Sequence, residues 1–189
     1  MKYILATHND NKAKEIKELF KNKIEIITLK DLNDYEEIIE DGKTFEENAL
    51  IKAKTIFKKY NLPVIADDSG LEIKYLNNLP GVYSQRYSGK GDLENNKKVL
   101  RELKDVSNRD ARFVCVIALV EQNGDTKVFK GMLEGEISLS SKGNNGFGYD
   151  PIFIPKGYTK TLGELPSEIK QKISHRSEAL LLFEQYLLK

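Results

Sequence analysis

The stretch Tyr3-Ile4-Leu5-Ala6-Thr7-His8-Asn9-Asp10-Asn11-Lys12 decides the fold class. Its first four residues are apolar and read as a short buried strand. The next five form a polar turn, and Lys12 to Phe20 then brings Ile16, Leu19 and Phe20 round at helical spacing. A strand that passes through a polar loop into a helix is the opening of an α/β arrangement. Working outward, Ile24 to Thr28 reads as a second strand, and Asp31 to Asp41 is too acidic and irregular to assign.

Thr44-Phe45-Glu46-Glu47 carries the capping-box pattern, in which the Thr hydroxyl and the Glu carboxylate each satisfy an orphan amide. Ala49, Ala53, Ile56, Phe57 and Tyr60 continue the apolar stripe, so a helix is predicted over 45–60, stopped by Pro63. Val64-Ile65-Ala66 and Leu71-Glu72-Ile73 read as two strand pieces flanking a turn, Asp67-Asp68-Ser69-Gly70. After a loop-rich segment over 77–91, helical spacing returns from Asp92 to Lys104. A strand from Ala111 to Gln122 turns at Asn123-Gly124 into a partner over 126–137, a strong hairpin signal. Ile152 to Ile154 reads as a short strand, and Ser174 caps a last amphipathic helix carrying Ala179, Leu180, Leu182, Phe183 and Leu187. The expectation is a single α/β domain over 1–189, with a mixed sheet and polar loops at the strand ends.

Of the 189 residues, 40% are hydrophobic and 31% charged, enough apolar material for a core and enough charge to coat it. Lys plus Arg number 30 against 29 Asp plus Glu, so the formal charge of +1 argues against bulk attraction to nucleic acid or an anionic membrane. An anion bound here is bound locally. The single cysteine, Cys115, lies among Phe113, Val114, Val116 and Ile117 and reads as a core thiol suited to a reducing compartment. The N-terminal apolar run turns polar within a few residues, which predicts neither a secretory signal nor a membrane span. The cytoplasm is the expected location.

Four stretches carry residues fit for chemistry. Thr7 to Lys12 lies at a helix start, where orphan amides attract anions and Lys12 adds a point charge; an N-capped helix with a solvated lysine fits the same residues. It is not a Walker A loop, because Gly-x-x-x-x-Gly-Lys is absent. Asp67-Asp68-Ser69-Gly70 puts adjacent carboxylates at a strand end, where one can bind Mg²⁺ or activate water and Gly70 can take an unusual backbone conformation. A hard cation commonly uses only one or two protein carboxylates when phosphates and water complete its shell, and Glu40 is a candidate second ligand. A plain turn is the other reading.

The third stretch, Gly143 to Pro151, alternates small residues with Phe147 and Tyr149, so backbone can approach a ligand closely while a ring stacks on a base. A flexible connection anchored by Phe147 fits equally. The fourth, Ile173-Ser174-His175-Arg176, puts cationic side chains at the positive end of a helix, a mismatch that a bound nucleotide resolves. Lys170, His175 and Arg176 are then three donors able to converge on phosphate or base oxygens. A solvated helix start is the alternative. With two histidines and one cysteine, a zinc site of nitrogen and sulfur ligands is disfavoured, and no Gly-x-Ser-x-Gly elbow positions a serine nucleophile.

Taken together, Thr7-x-Asn9-x-x-Lys12, Thr44-Phe45-x-Glu47-Asn48-Ala49, Ala66-Asp67-Asp68-Ser69-Gly70-Leu71, Pro80-Gly81, Ser84-x-Arg86-Tyr87, Gly146-Phe147-Gly148-Tyr149-Asp150-Pro151 and Ser174-His175-Arg176 resemble the inosine triphosphate pyrophosphatase, or Ham1, family. Their order and spacing match from end to end. The resemblance implies an elongated α/β fold, with a mixed central β-sheet flanked by helices and two lobes around a nucleotide-binding cleft, usually in a homodimer. It implies a pyrophosphatase that cleaves non-canonical purine nucleoside triphosphates such as ITP, dITP and XTP to the monophosphate and pyrophosphate, with Mg²⁺ as cofactor.

Carried over residue by residue, the resemblance assigns Thr7, His8, Asn9, Asp10, Asn11 and Lys12 to phosphate binding. Asp68 becomes proton acceptor and metal ligand, and Glu40 the second metal carboxylate. Ser69, Phe147, Gly148, Tyr149, Asp150, Lys170, His175 and Arg176 become substrate contacts. His8 departs from the pattern, whose commonest form has Gly there. Competing readings are a related pyrophosphatase for modified pyrimidine or methylated nucleotides and a nucleotide sensor without catalysis, against which Glu40, Asp68 and Lys12 together speak.

Overall fold

The computed structural model describes residues 2–21 and 23–188. Its helices are α1 (Asp10–Leu19), α2 (Phe45–Tyr60), α3 (Asp92–Glu102), α4 (Ser167–Ile173) and α5 (His175–Leu187). Its strands are β1 (Lys2–Leu5), β2 (Glu25–Thr28), β3 (Val64–Ile73), β4 (Leu79–Pro80), β5 (Asp110–Val120), β6 (Thr126–Ile137) and β7 (Phe153–Pro155). The strands hydrogen-bond in the order β2-β1-β3-β5-β6-β7, with β4 added to β3. β1 is parallel to both β2 and β3, whereas β3/β4 and β6/β7 are antiparallel, so the sheet is mixed as expected.

The chain divides into two compact units. One comprises the residues up to Asp68, Cys115–Lys130 and those from Ala179 onward; the other comprises Ser69–Val114 and Gly131–Glu178. The core of the first gathers Leu5, Ile16, Ile65, Ile117 and Phe183, with Cys115 wholly buried among them. The core of the second gathers Leu71, Val99, Phe113, Ile137 and Phe153.

Local chemistry explains the elements that the sequence predicted well. Thr44 caps α2 by accepting the Glu47 amide at 3.1 Å, and the Glu47 carboxylate in return accepts the Lys43 amide at 2.6 Å, one residue earlier than an ideal capping box. The helix stops at Asn61, in the left-handed region at φ 50°, two residues before Pro63. Ser174 caps α5, its hydroxyl accepting the Ser177 amide at 3.1 Å. The β5–β6 turn is closed by the Gly124 amide donating to Glu121, with Gly124 at φ 87°.

The Asp67–Gly70 turn is a correction. β3 runs unbroken from Val64 to Ile73, and Gly70 is not among the residues of positive φ. Asp and Ser favour turns because their side chains compete for backbone partners, but here those side chains have other partners. Asp67 and Asp68 are charge-paired with lysines, and the Leu71 amide donates to the Ser84 hydroxyl at 2.9 Å. α4, which carries Lys170, was not predicted.

Candidate active site

In the first unit, β1 delivers the chain into the Thr7–Lys12 loop and Asn9 caps α1. Its carboxamide oxygen accepts the amides of Asn11 and Lys12 at 3.0 and 3.2 Å, and its own amide donates to the Thr7 hydroxyl at 3.2 Å. The loop is therefore ordered by its own side chains. His8 Nε2 donates to the Asp34 carbonyl at 3.1 Å, tying the loop to the segment that follows β2. Asp10 and Asn11 are exposed on the first turn of α1, and Asp10 reaches Lys30 at 4.0 Å.

Lys12 is not a solvated lysine. Its Nζ lies 2.9 Å from a carboxylate oxygen of Asp67, whose side chain is wholly buried. One residue on along β3, where side chains alternate between faces, Asp68 lies 3.7 Å from Lys52 Nζ, and the same ammonium is 3.1 Å from Glu40. Glu40 and Asp68, the two carboxylates expected to share a metal, thus share one cation.

The balance in this cluster is three carboxylates to two ammonium groups. Burial pushes the Asp68 carboxyl above its ordinary range; Lys52 and Lys12 pull it down, and Glu40 and Asp67 add to the rise. Burial also pulls Lys52 down, but Asp68, Asp67 and Glu40 outweigh it and the ammonium is held above its usual range. The two shifts have different causes: burial dominates at Asp68, and the surrounding carboxylates dominate at Lys52. Among the described residues no group of three or more His, Cys, Asp or Glu side chains is arranged to hold a metal.

Lys52 is the functional candidate that sequence reading missed. It lies on the buried face of α2 with Phe45, Asn48, Ala49, Ala53 and Ile56. The spacing from Asn48 to Lys52 to Ile56 was the available signal, because it puts the lysine on the apolar stripe.

In the second unit, the Gly146–Asp150 loop is folded on itself. The Asp150 carboxylate accepts the Phe147 amide at 3.0 Å and Lys170 Nζ at 2.6 Å. Gly146 is at φ 73°, and a Cβ there would stand 1.9 Å from Asp150 Oδ2, so only glycine fits. Tyr149 is buried and donates its hydroxyl proton to the Ser84 carbonyl at 2.6 Å, and burial raises its pKa. Its polar atom serves the scaffold.

The Phe147 ring is approached by two cations, with Lys170 Nζ 4.3 Å and the Arg176 guanidinium 5.9 Å from its centroid. Arg176 is only 2% exposed and donates to the Ser69 hydroxyl at 3.1 Å, while His175 stacks on Phe113 at 4.8 Å with 13° between the rings. The solvated helix start is thereby excluded: His175 and Arg176 open α5 from inside the protein. The structure brings Ser69, Phe147, Asp150, Lys170 and Arg176 together in this unit. A separate groove of the same unit, lined by Glu72, Lys74, Arg112, Glu134, Lys156 and Tyr158 among others, shares none of them.

A family model described as "Ham1 family" matches residues 3–186. A dITP/XTP pyrophosphatase of Acholeplasma laidlawii is 50% identical over 181 residues, covering 95% of this chain and 90% of its own. A second, from Oceanobacillus iheyensis, is 48% identical over 192 residues, covering 98% of each chain. A solved HAM1 protein from Coxiella burnetii superposes with a TM-score of 0.92 at 43% identity, over 100% of this chain and 98% of that one.

Proposed function

The chain belongs to the Ham1 family, and from that premise we propose that it hydrolyses non-canonical purine nucleoside triphosphates (ITP, dITP and XTP) to the monophosphate and pyrophosphate, clearing them from the nucleotide pool. The relatives named dITP/XTP pyrophosphatase support the substrate class. The observation that carries the chemistry is the buried cluster in which Glu40 and Asp68 share Lys52 beside the Lys12–Asp67 pair.

In this reading Glu40 and Asp68 hold Mg²⁺. The unbalanced negative charge and the donor set of carboxylate oxygens fit a hard cation that completes its shell with water and phosphate. When bound, the ion supplies charge neutralisation for the leaving pyrophosphate. Asp68 orients the attacking water and accepts its proton as the bond to the α-phosphorus forms and the bond to the bridging oxygen of the pyrophosphate breaks, a role its raised affinity for a proton suits. Lys12 and Lys52 keep the carboxylates ionised and offer ammonium charge to the phosphates. The Thr7 hydroxyl and the Asn9 side-chain amide offer donors for the phosphate chain on a loop that capping holds in shape, with His8 set in place by Asp34.

Base recognition falls to the second unit. Phe147 offers a ring face, and Arg176, buried beside it, is a donor suited to the 6-oxo group. A donor aimed at that oxygen would face the 6-amino donor of adenine, and a buried mismatch of this kind is costly. Ser69, Lys170 and His175 hold that environment in place.

The same reading takes the protein as a cytoplasmic homodimer, a state that light scattering on the purified protein tests. No helix among the described residues is long and apolar enough to cross a membrane. The function itself is tested by incubating the protein and Mg²⁺ separately with ITP, XTP, GTP, ATP and UTP and scoring pyrophosphate against orthophosphate. Pyrophosphate release confined to ITP and XTP is expected. Orthophosphate release, or no discrimination among bases, would overturn the assignment.

A further inference from the structure

Gly148 follows Phe147 directly, and both of its backbone polar groups are held by one face of α3. Its amide donates to the Asp92 carboxylate at 3.0 Å, and its carbonyl accepts the Asn96 side-chain amide at 3.1 Å. Asp92 and Asn96 are four residues apart, so they are neighbours on one side of the helix. They grip two consecutive peptide units, one on each side of the Gly148 Cα. Gly148 sits at φ 62°, a conformation that places Phe147 and Tyr149 in directions an extended chain would not give.

The residue before Asn96 serves the same end. The Asn95 carboxamide donates to the carbonyls of Ser84 and Gln85 at 3.3 and 3.2 Å and accepts the Ser88 amide at 2.7 Å. Ser84 is in turn the acceptor for Tyr149. α3 therefore fixes the segment on which Tyr149 rests as well as the peptides before and after Gly148.

Asn96 is 5% exposed, and its Oδ1 is a buried atom with no hydrogen-bond partner among the described residues. A buried acceptor left unmet costs stability. A leucine of similar shape at this position, on a helix face already lined by Val99 and Leu103, would remove that cost together with the bond to Gly148. Packing alone does not call for the asparagine.

We propose that Asn96, with Asp92, is a positioning residue for base recognition: the pair clamps the Gly148 backbone so that the Phe147 ring is presented as a fixed stacking face for the purine. The clamp touches no reacting atom and acts through the loop. It rests on the reading of Phe147 as the base platform.

The products separate the two contributions, because inosine monophosphate carries the base and pyrophosphate does not. In Asn96→Leu the inhibition constant for inosine monophosphate and the KM for ITP are expected to rise about fivefold, the value of one ordinary hydrogen bond. The inhibition constant for pyrophosphate stays unchanged, kcat stays within about twofold, and the melting temperature is equal or higher. Asp92→Ala should weaken inosine monophosphate in the same way, and Asp92→Asn, which keeps an oxygen to accept the Gly148 amide, should restore it. If both inhibition constants rise in parallel, or inosine monophosphate is unaffected, the clamp is overturned. The wild-type protein supplies the control: if it binds ribose 5-phosphate as tightly as inosine monophosphate, the platform reading fails and the clamp with it. A wild-type preference for the base that Asn96→Leu leaves intact sinks the clamp alone.

Discussion

Lys12 Nζ and a carboxylate oxygen of Asp67 meet at 2.9 Å, joining the first turns of α1 to the middle of β3 with the carboxylate wholly out of solvent. The same lysine belongs to the loop assigned to phosphate, so its substitution has two separable consequences. Lys12→Met takes the counter-charge from a buried carboxylate and should cost about 3 kcal/mol of stability, read as a lower denaturation midpoint. Adding Asp67→Asn should recover most of that stability. The KM for the triphosphate should stay elevated in the double variant if the lysine also binds phosphate. A double variant with wild-type KM would confine Lys12 to a structural role.

Asp68→Asn should abolish turnover and leave the fold intact, since Asn is close in shape and carries no charge to desolvate. Pyrophosphate release from ITP measures the first point and near-ultraviolet circular dichroism the second. Near-normal release would remove Asp68 from the centre of the mechanism.

The sign of the Asp68 shift fixes a pH dependence. Burial raises the pKa of the folded state above that of the unfolded chain, so the folded protein holds this proton more tightly. Between the unfolded value, about 4, and the raised folded value, stability falls as pH rises, and above that window the loss is constant. The melting temperature of metal-free Asp68→Asn, taken relative to the unaltered protein, should therefore climb through this window and then level off. A flat difference would mean that Asp68 titrates normally.

Much of the fold was legible because its signals are local. α2 was predicted over its observed range, since Thr44 and Glu47 announce its start and the apolar spacing carries through to Tyr60. β3 was misread because Asp-Asp-Ser-Gly has the propensities of a turn, and only partners far away in sequence, Lys12, Lys52 and Ser84, let those residues continue a strand. In the site, residues with unusual chemistry for their position, such as Arg176 at a helix start, could be found from sequence. Asn96 could not be told from an ordinary polar helix residue until its burial was known, and Lys52 was marked only by falling in step with the apolar stripe of α2.

Lys52 is where burial has the sharpest consequence for catalysis. Its ammonium serves Glu40 and Asp68 together, and it is the first of the charges that oppose the rise in the Asp68 pKa. Lys52→Met keeps the length and apolar stem of the side chain but withdraws that charge, so Asp68 should hold its proton to higher pH. Because Asp68 must be ionised to accept a proton from water, the acidic limb of kcat/KM should move upward by the same amount while activity on the alkaline side falls less. A profile measured on ITP at saturating Mg²⁺ reads the shift directly. An unmoved acidic limb with a uniformly lower rate would show that Lys52 acts on the phosphates and not on Asp68.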